Sequence, residues 1–457
     1  DGRREIPQAK KIKKMGVGKF RRGVFPQRKV LATTEKPYLC RQLKKSSSMP
    51  TIAPFSRPMY VMVKPAGSHC NLRCQYCYYL EKQFLYASNK SMWMDETLLE
   101  RFIQQYLLSQ TQPQVSFTWH GGEPLLRPIS FYEKALKLQQ KYGKGYDIQN
   151  SLQTNGTLIT DEWCRFFKDN DFLIGLSIDG TAAMHNLYRT TPRGKDTFDE
   201  VMRGIELLNK HGVEWNAMAV VNNQNADHPI EFYNFFKNIG CHFIQFTPIV
   251  ERQIQHSDGR HLASLKDKDL LVTSYSVSAE QWGTFLCAIF DEWIKEDVGD
   301  YYVQLFDATL ANWVGVTPSI CTLARTCGHA GVMEHNGDVY ACDHFVFPEY
   351  KLGNIKDKTL TEMMYSPQQL TFGKNKHNLL PKQCKECPYM FACNGECPKN
   401  RFITDSYGMP GLNYLCKGYK RFFAHVAPYM DFMKAEYEAG RPPSNVMEWA
   451  KNNAIEL

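Results

Sequence analysis

At 457 residues, with 15 cysteines and a formal net charge of +8, the chain has room for about three average domains or one large barrel with an appendage. Its uncharged apolar runs fall short of the ~20 residues that a membrane-spanning helix needs, and no basic-then-apolar leader precedes a cleavage site. A cytoplasmic protein with no membrane partner is therefore expected, and in a reducing compartment so many cysteines point to metal rather than to disulfides.

The charge is unevenly spread. Residues 1 to 48 hold fifteen Lys/Arg against three Asp/Glu, a net of +12 that leaves −4 for residues 49 to 457. The basic stretch has no sustained apolar period and reads as a disordered arm. The body is mildly acidic, so no nucleic-acid partner is expected. The chain opens on Asp1, and "MPTIAPFSRPMYVMVKP" from Met49 offers a start of its own. Residues 1 to 50 are thus expected to be a disordered or spurious extension.

From residue 51 to 250, β-rich runs alternate with amphipathic ones. Strands are expected at 59 to 65, 115 to 121, 146 to 156, 172 to 180, 213 to 222 and 242 to 250, most of them apolar enough to be covered on both faces. Helices are expected at 95 to 108, 129 to 142, 161 to 169, 198 to 211 and 229 to 239. Six such units predict an α/β fold with a parallel sheet, open or closed into a partial barrel. Chemistry in these folds sits on loops at the C-terminal strand ends, where Cys70, "HGGEP" at 120 to 124, "QTNG" at 153 to 156 and "SIDG" at 177 to 180 fall. Residues 251 to 315 read as a connecting region with one strong helix. A cysteine-rich domain organised by metal is expected from 316 to 420, and a C-terminal helix and tail from 421 to 457, the helical pattern itself running from about 417 to 440.

The cysteines sort by spacing. Cys70, Cys74 and Cys77 form C-x3-C-x2-C. Cys321, Cys327 and Cys342 follow at x5 and x14, then Cys384, Cys387, Cys393, Cys397 and Cys416 at x2, x5, x3 and x18. Eight downstream thiols suffice for two four-thiolate sites, for which structural zinc is the alternative. The upstream three make an incomplete site, which suits a [4Fe-4S] cube with one open iron. Cys40, Cys164, Cys241 and Cys287 are scattered, the last three within apolar patterns that mark small buried hydrophobes.

Residues Cys70, Cys74, Tyr76 and Cys77 resemble the C-x3-C-x-aromatic-C motif of the radical S-adenosylmethionine (SAM) superfamily. The resemblance implies a partial (β/α)6 TIM-like barrel in which SAM chelates the open iron and is cleaved to a 5′-deoxyadenosyl radical. Gly122 in "GGEP" would then meet SAM's amino group, Ser177 and Arg189 its ribose and carboxylate, Tyr76 its adenine, and Val250 would form an apolar wall. Read singly, these residues also fit a turn, a helix cap and a surface ion pair. The downstream cysteines look like the SPASM domain of peptide-modifying members, and the chain is most similar to anaerobic sulfatase-maturating enzymes over residues 52 to 440.

That resemblance implies three [4Fe-4S] clusters. Cys321, Cys327, Cys342 and Cys397 would hold auxiliary cluster I, and Cys384, Cys387, Cys393 and Cys416 auxiliary cluster II. It makes Asp343, in "ACDHF", the general base that takes the thiol or hydroxyl proton while the radical takes a hydrogen from Cβ of a Cys or Ser, giving Cα-formylglycine; His344 is a weaker candidate. The implied partners are a sulfatase polypeptide with a C/S-x-P/A-x-R motif and an electron donor such as flavodoxin or ferredoxin. The alternatives are a SPASM enzyme that crosslinks ribosomal peptides and, from another class, a non-enzymatic zinc or electron-transfer protein.

Overall fold

The computed structural model describes residues 58–86, 92–254 and 270–453. The basic segment, with Cys40 and Met49, lies outside them, as does part of the connecting region.

Six strands form the expected parallel array. β1 (Tyr60–Val63), β2 (Gln114–Trp119), β3 (Asp147–Thr154), β4 (Leu173–Ser177), β5 (Trp215–Val221) and β6 (Phe243–Pro248) pair in chain order, every neighbour parallel. Between them run α1 (Glu96–Leu108), α2 (Ile129–Tyr142), α3 (Asp161–Asp169), α4 (Phe198–His211) and α5 (Pro229–Asn238). Local chemistry marks their ends. Asp95 accepts from the Leu98 N–H at the start of α1 and Thr160 from the Trp163 N–H at the start of α3. Gly212 takes a left-handed φ of 61° to end α4. Helices cover the sheet, so Val61, Phe117, Ile174 and Ala217 are fully buried, as the apolar strand runs require.

β7 (Arg252–Ile254) and β8 (Leu270–Val272) form a separate antiparallel pair. The main sheet does not stop at β6. β9 (Tyr302–Val303) adds to its far edge, and β10 (Ala330–Met333) pairs in parallel with β1, Val63 opposite Met333. β11 (Asp338–Tyr340) and β12 (Lys351–Asn354) follow antiparallel. The result is one open ten-stranded sheet, in which the start of the cysteine-rich part extends the barrel from its β1 side.

Three helices complete the core: α6 (Ala279–Glu296), α7 (Gln304–Trp313) and α8 (Cys416–Glu438). Ser278 and Gln281 form a capping box on α6. Trp282, Phe285, Phe290 and Trp293 of α6 are all at most 1% exposed, each contributing about 1.5–3 kcal/mol by burial. α8 crosses α6 with almost no side-chain spacing, since a Cβ on Gly418 would lie 2.2 Å from the Ala279 carbonyl oxygen. Among the described residues, no helix is long and apolar enough to cross a membrane.

Candidate functional site

The loop after β1 carries Cys70, Cys74 and Cys77; the charges of Cys77 and Cys74 bear on Cys70, and that of Cys74 on Cys77. Cys70 Sγ accepts from the Leu72 N–H at 3.3 Å and from Asn155 Nδ2, in "QTNG", at 3.6 Å. Burial pushes Cys70 and Cys77 up to about 12 and raises Cys74. Such thiols deprotonate only for a cation, so the donor chemistry fits a metal cluster. Backbone packing holds the loop: Gly122 N–H donates to the Gly67 carbonyl at 2.9 Å and Glu123 N–H to that of His69 at 2.8 Å. A Cβ on Gly122 would lie 2.1 Å from the His69 carbonyl oxygen. Gly122 is therefore needed for the contact between two protein backbones, independent of any ligand.

Beside this loop, Tyr76, Asp179 and Arg189 form one buried unit. Arg189 grips Asp179 through two hydrogen bonds of 2.8 and 3.1 Å, Tyr76 donates to the same carboxylate, and the Val220 N–H adds a bond of 2.9 Å. Arg189 is thus a buried ion-pair residue rather than a surface one, and its charge bears on Cys74. Ser177 accepts from Gln153 Nε2 at 3.0 Å. Leu72, Cys74, Tyr76 and Ile249 make a small apolar cluster. Val250, 2% exposed, packs in the main core, while its carbonyl accepts from Lys399 Nζ at 2.7 Å.

Asp343 stands where the two halves of the sheet meet. Lys64 follows β1 and Glu334 follows β10, so the parallel β1/β10 pairing sets them side by side. Lys64 Nζ, fully buried, lies 2.7 Å from Asp343 Oδ1 and 2.9 Å from Glu334 Oε1. Tyr78 and Tyr79 donate to Asp343 Oδ2 at 2.5 and 2.6 Å. Burial alone would raise Asp343; the Lys64 ammonium, His120 and the hydrogen bonds outweigh it and hold the carboxyl well below the usual range. Both tyrosines occupy Oδ2, while the buried Oδ1 has Lys64 as its ion-pair partner and no hydrogen-bond donor, which leaves it acceptor capacity. His120, buried and held below its ordinary value, accepts from the Gly121 N–H at 2.7 Å. His344 Nδ1 lies 3.7 Å from Cys397 Sγ.

The downstream thiols fall into two groups. The charge of Cys321 bears on Cys327, Cys342 and Cys397, and that of Cys397 on Cys342; Cys416 bears on Cys384 and Cys393, Cys384 on Cys393, and Cys387 on Cys384 and Cys416. Burial pushes Cys327 and Cys384 up to about 11 and Cys393 to about 12. Among the described residues, no three His, Cys, Asp or Glu side chains are grouped so as to hold a metal ion. Cys164, Cys241 and Cys287 are buried in the main core.

Sequence reasoning missed Lys64, Glu334, Tyr78, Tyr79 and Asp179. Asp179 had a signal, since it lies in the "SIDG" strand end. A lysine closing the apolar strand "MYVMVKP" is another, because a charge so placed is rarely buried without a partner.

Comparison with known proteins gives the family. The radical SAM superfamily profile matches residues 65–236, and an iron-sulfur cluster-binding domain, SPASM, matches 327–388. A serine-type anaerobic sulfatase-maturating enzyme of Bacteroides thetaiotaomicron is 62% identical over 408 residues, covering 89% of this chain and 99% of the relative. A cysteine-type enzyme of Clostridium perfringens is 34% identical, covering 81% and 97%. The solved structure of native anSMEcpe with bound AdoMet and the Cp18Cys peptide aligns with a TM-score of 0.72 at 33% identity, covering 83% of this chain and 99% of that one.

Proposed function

From the premise that this chain belongs to the anaerobic sulfatase-maturating enzymes of the radical SAM superfamily, we propose that it oxidises a serine of its sulfatase client to Cα-formylglycine with Asp343 as the proton acceptor. The family's work is SAM-dependent radical oxidation of a Cys or Ser in a sulfatase, with three [4Fe-4S] clusters. The preference for serine is supported by 62% identity to a serine-type relative against 34% to a cysteine-type one.

Cys70, Cys74 and Cys77 hold the SAM-binding cluster in this reading, with Tyr76, Ser177 and Arg189 around SAM, Gly122 packing the cluster loop, and Ile249 in place of Val250 on the apolar side. Cys321, Cys327, Cys342 and Cys397 hold auxiliary cluster I; Cys384, Cys387, Cys393 and Cys416 hold auxiliary cluster II. SAM, once reductively cleaved there, supplies the adenosyl radical that removes a hydrogen atom from the substrate Cβ. Arg189 is already paired with Asp179, so it offers SAM's carboxylate a donor whose charge is half spent. That limits how strongly it binds and fixes where it points. An electron donor such as flavodoxin or ferredoxin supplies reducing equivalents.

The observation that carries the base assignment is the setting of Asp343. Its carboxylate is kept anionic by Lys64, oriented by two tyrosines, and retains acceptor capacity at Oδ1. Such a carboxylate is too weak to deprotonate an ordinary alcohol. It accepts the proton only as Cβ loses its hydrogen, because a carbon-centred radical acidifies its own hydroxyl. Proton transfer is thereby tied to the radical step, and an idle enzyme does not consume its base.

Asp343→Asn tests this. In anaerobic incubation with SAM, reductant and a serine-containing sulfatase peptide, SAM cleavage should persist while the product lighter by two hydrogens is lost. Undiminished product would remove Asp343 from the role. Faster turnover of the cysteine than the serine peptide would reverse the client preference.

A further inference from the structure

Two cations lie inside the cysteine-rich region with only backbone carbonyls as hydrogen-bond acceptors. Lys376, 1% exposed, donates to the carbonyls of Cys321 and Thr322 at 2.6 Å each and to that of Ala324. Arg401 donates to the carbonyls of Gly395, Lys376, Asn394 and Glu396 at 2.5 to 3.0 Å. The carboxylate whose charge bears on both is Glu396, and it is engaged by Asn400 and Asn413. One buried and one half-buried cation therefore face one carboxylate.

An unpaired buried ammonium costs several kcal/mol unless something anionic compensates it. The Lys376 ammonium is held against the carbonyl of Cys321 itself, and the anionic groups whose charge bears on it are Cys321, Cys327, Cys397 and Glu396. Three of these belong to one thiol group. Four thiolates around an oxidised [4Fe-4S] core carry a net charge of −2, which is the missing counter-charge. Reduction adds one more negative charge, and a fixed cation favours it.

We propose that Lys376 is the counter-charge of auxiliary cluster I, holding its reduction potential high enough for it to accept the electron that leaves the substrate. The proposal rests on the ligand set given above. It adds that the charge of this lysine, rather than its shape, poises the cluster. The balance is simple: the substrate radical loses one electron to form the carbonyl, the cluster gains it, and the proton goes to Asp343.

Redox titration of the full-length holoenzyme, followed by electron paramagnetic resonance, tests this with Lys376→Gln and Lys376→Arg. Gln retains donors for the carbonyls without the charge; Arg retains the charge. With about twelve irons per chain retained, Lys376→Gln should shift one midpoint toward the oxidised form at least tenfold, ~59 mV for one electron. The SAM-cluster midpoint should stay in place, and Lys376→Arg should resemble the wild type. If Lys376→Gln instead sheds about four irons while Lys376→Arg keeps all, the charge requirement also stands. The proposal is overturned if Lys376→Gln keeps its irons and its three midpoints, or if both variants shift or lose iron alike. A wild-type protein lacking the iron for three clusters would instead sink the ligand reading, so the two failures are distinguishable.

Discussion

Replacing Lys64 with Met removes the one ammonium shared by Asp343 and Glu334 while keeping most of its volume. The side chains of Lys64 and Glu334 are 0% and 1% exposed and that of Asp343 is 14% exposed, so solvent screens little. At an effective dielectric of ~20, charges about 4 Å apart attract by roughly 4 kcal/mol, and breaking a buried pair costs about 3–5 kcal/mol. The variant also leaves two carboxylates facing one another, whose joint proton affinity must rise. Buried carboxyls of this chain that no cation offsets show the scale, since burial pushes Glu123 up to about 7 and Asp307 up to about 8. In the wild type both carboxyls are held below their unfolded values. Their stabilisation is present above those values and lost only in strong acid, so the pair adds no slope between pH 8 and 6. In Lys64→Met the folded pair binds a proton more tightly than the unfolded chain, so stability should rise as pH falls through that window. Anaerobic urea denaturation at pH 8, 7 and 6 measures this, and formylglycine yield should drop at least tenfold at pH 7. Adding Glu334→Gln should restore a good part of the stability. A loss that is constant with pH and not relieved by the second substitution would refute the electrostatic reasoning and leave only packing.

Other substitutions test the neighbouring parts. Tyr79→Phe removes one donor to a charged acceptor, a loss of about 1.5–3 kcal/mol; product formation should fall roughly 10- to 100-fold with SAM cleavage intact, and an unchanged rate would show that Tyr79 does not orient Asp343. Gly122→Ala places a methyl against the His69 backbone. It should cost about 1–3 kcal/mol or more and lower iron by about four per chain, whereas full iron with weakened SAM binding would move the role of Gly122 to the ligand. Gly418→Ala should push α8 off α6 and, because Cys416 begins that helix, release the irons of auxiliary cluster II first. Retained iron would mean that Cys416 is held independently of the crossing.

What was legible in the sequence was local. Cys70, Cys74 and Cys77 declare themselves within eight residues, and the six apolar strands do so because burial on both faces leaves continuous runs. The parallel pairing of β10 with β1 left no such mark. A four-residue strand, "AGVM", carries too little pattern to name its neighbour, and Lys64 meets Glu334 across 270 residues. Tyr78 and Tyr79 sat beside a recognised motif, yet their partner Asp343 is more than 260 residues away. Asp343 itself was reached through resemblance, and its lysine only through the fold. Val250 shows the opposite limit, since an apolar residue at a strand end fits a pocket wall and a core position equally, and the side chain packs in the core with Ile249 beside Tyr76.

The join between barrel and cysteine-rich region bears on how proton and electron leave the substrate. Cys342 has an extended backbone, φ −166° and ψ 157°, and Asp343 opens the 3-10 turn Asp343–Phe345, so the chain changes direction between the two side chains. Cys342 turns toward Cys321 and Cys397, while Asp343 turns toward Lys64, Tyr78 and Tyr79. In the proposed reaction, one dipeptide therefore presents a proton acceptor on the barrel side and an electron path on the other. The two cations behind these residues keep separate accounts: Lys64 holds the carboxylate ionised, and Lys376 favours the reduced cluster. Because the β1/β10 ladder fixes Asp343 and the thiol group fixes Cys342, neither can be displaced without moving the other. The two halves of the oxidation are thus held in step by the backbone rather than by a loop that must close.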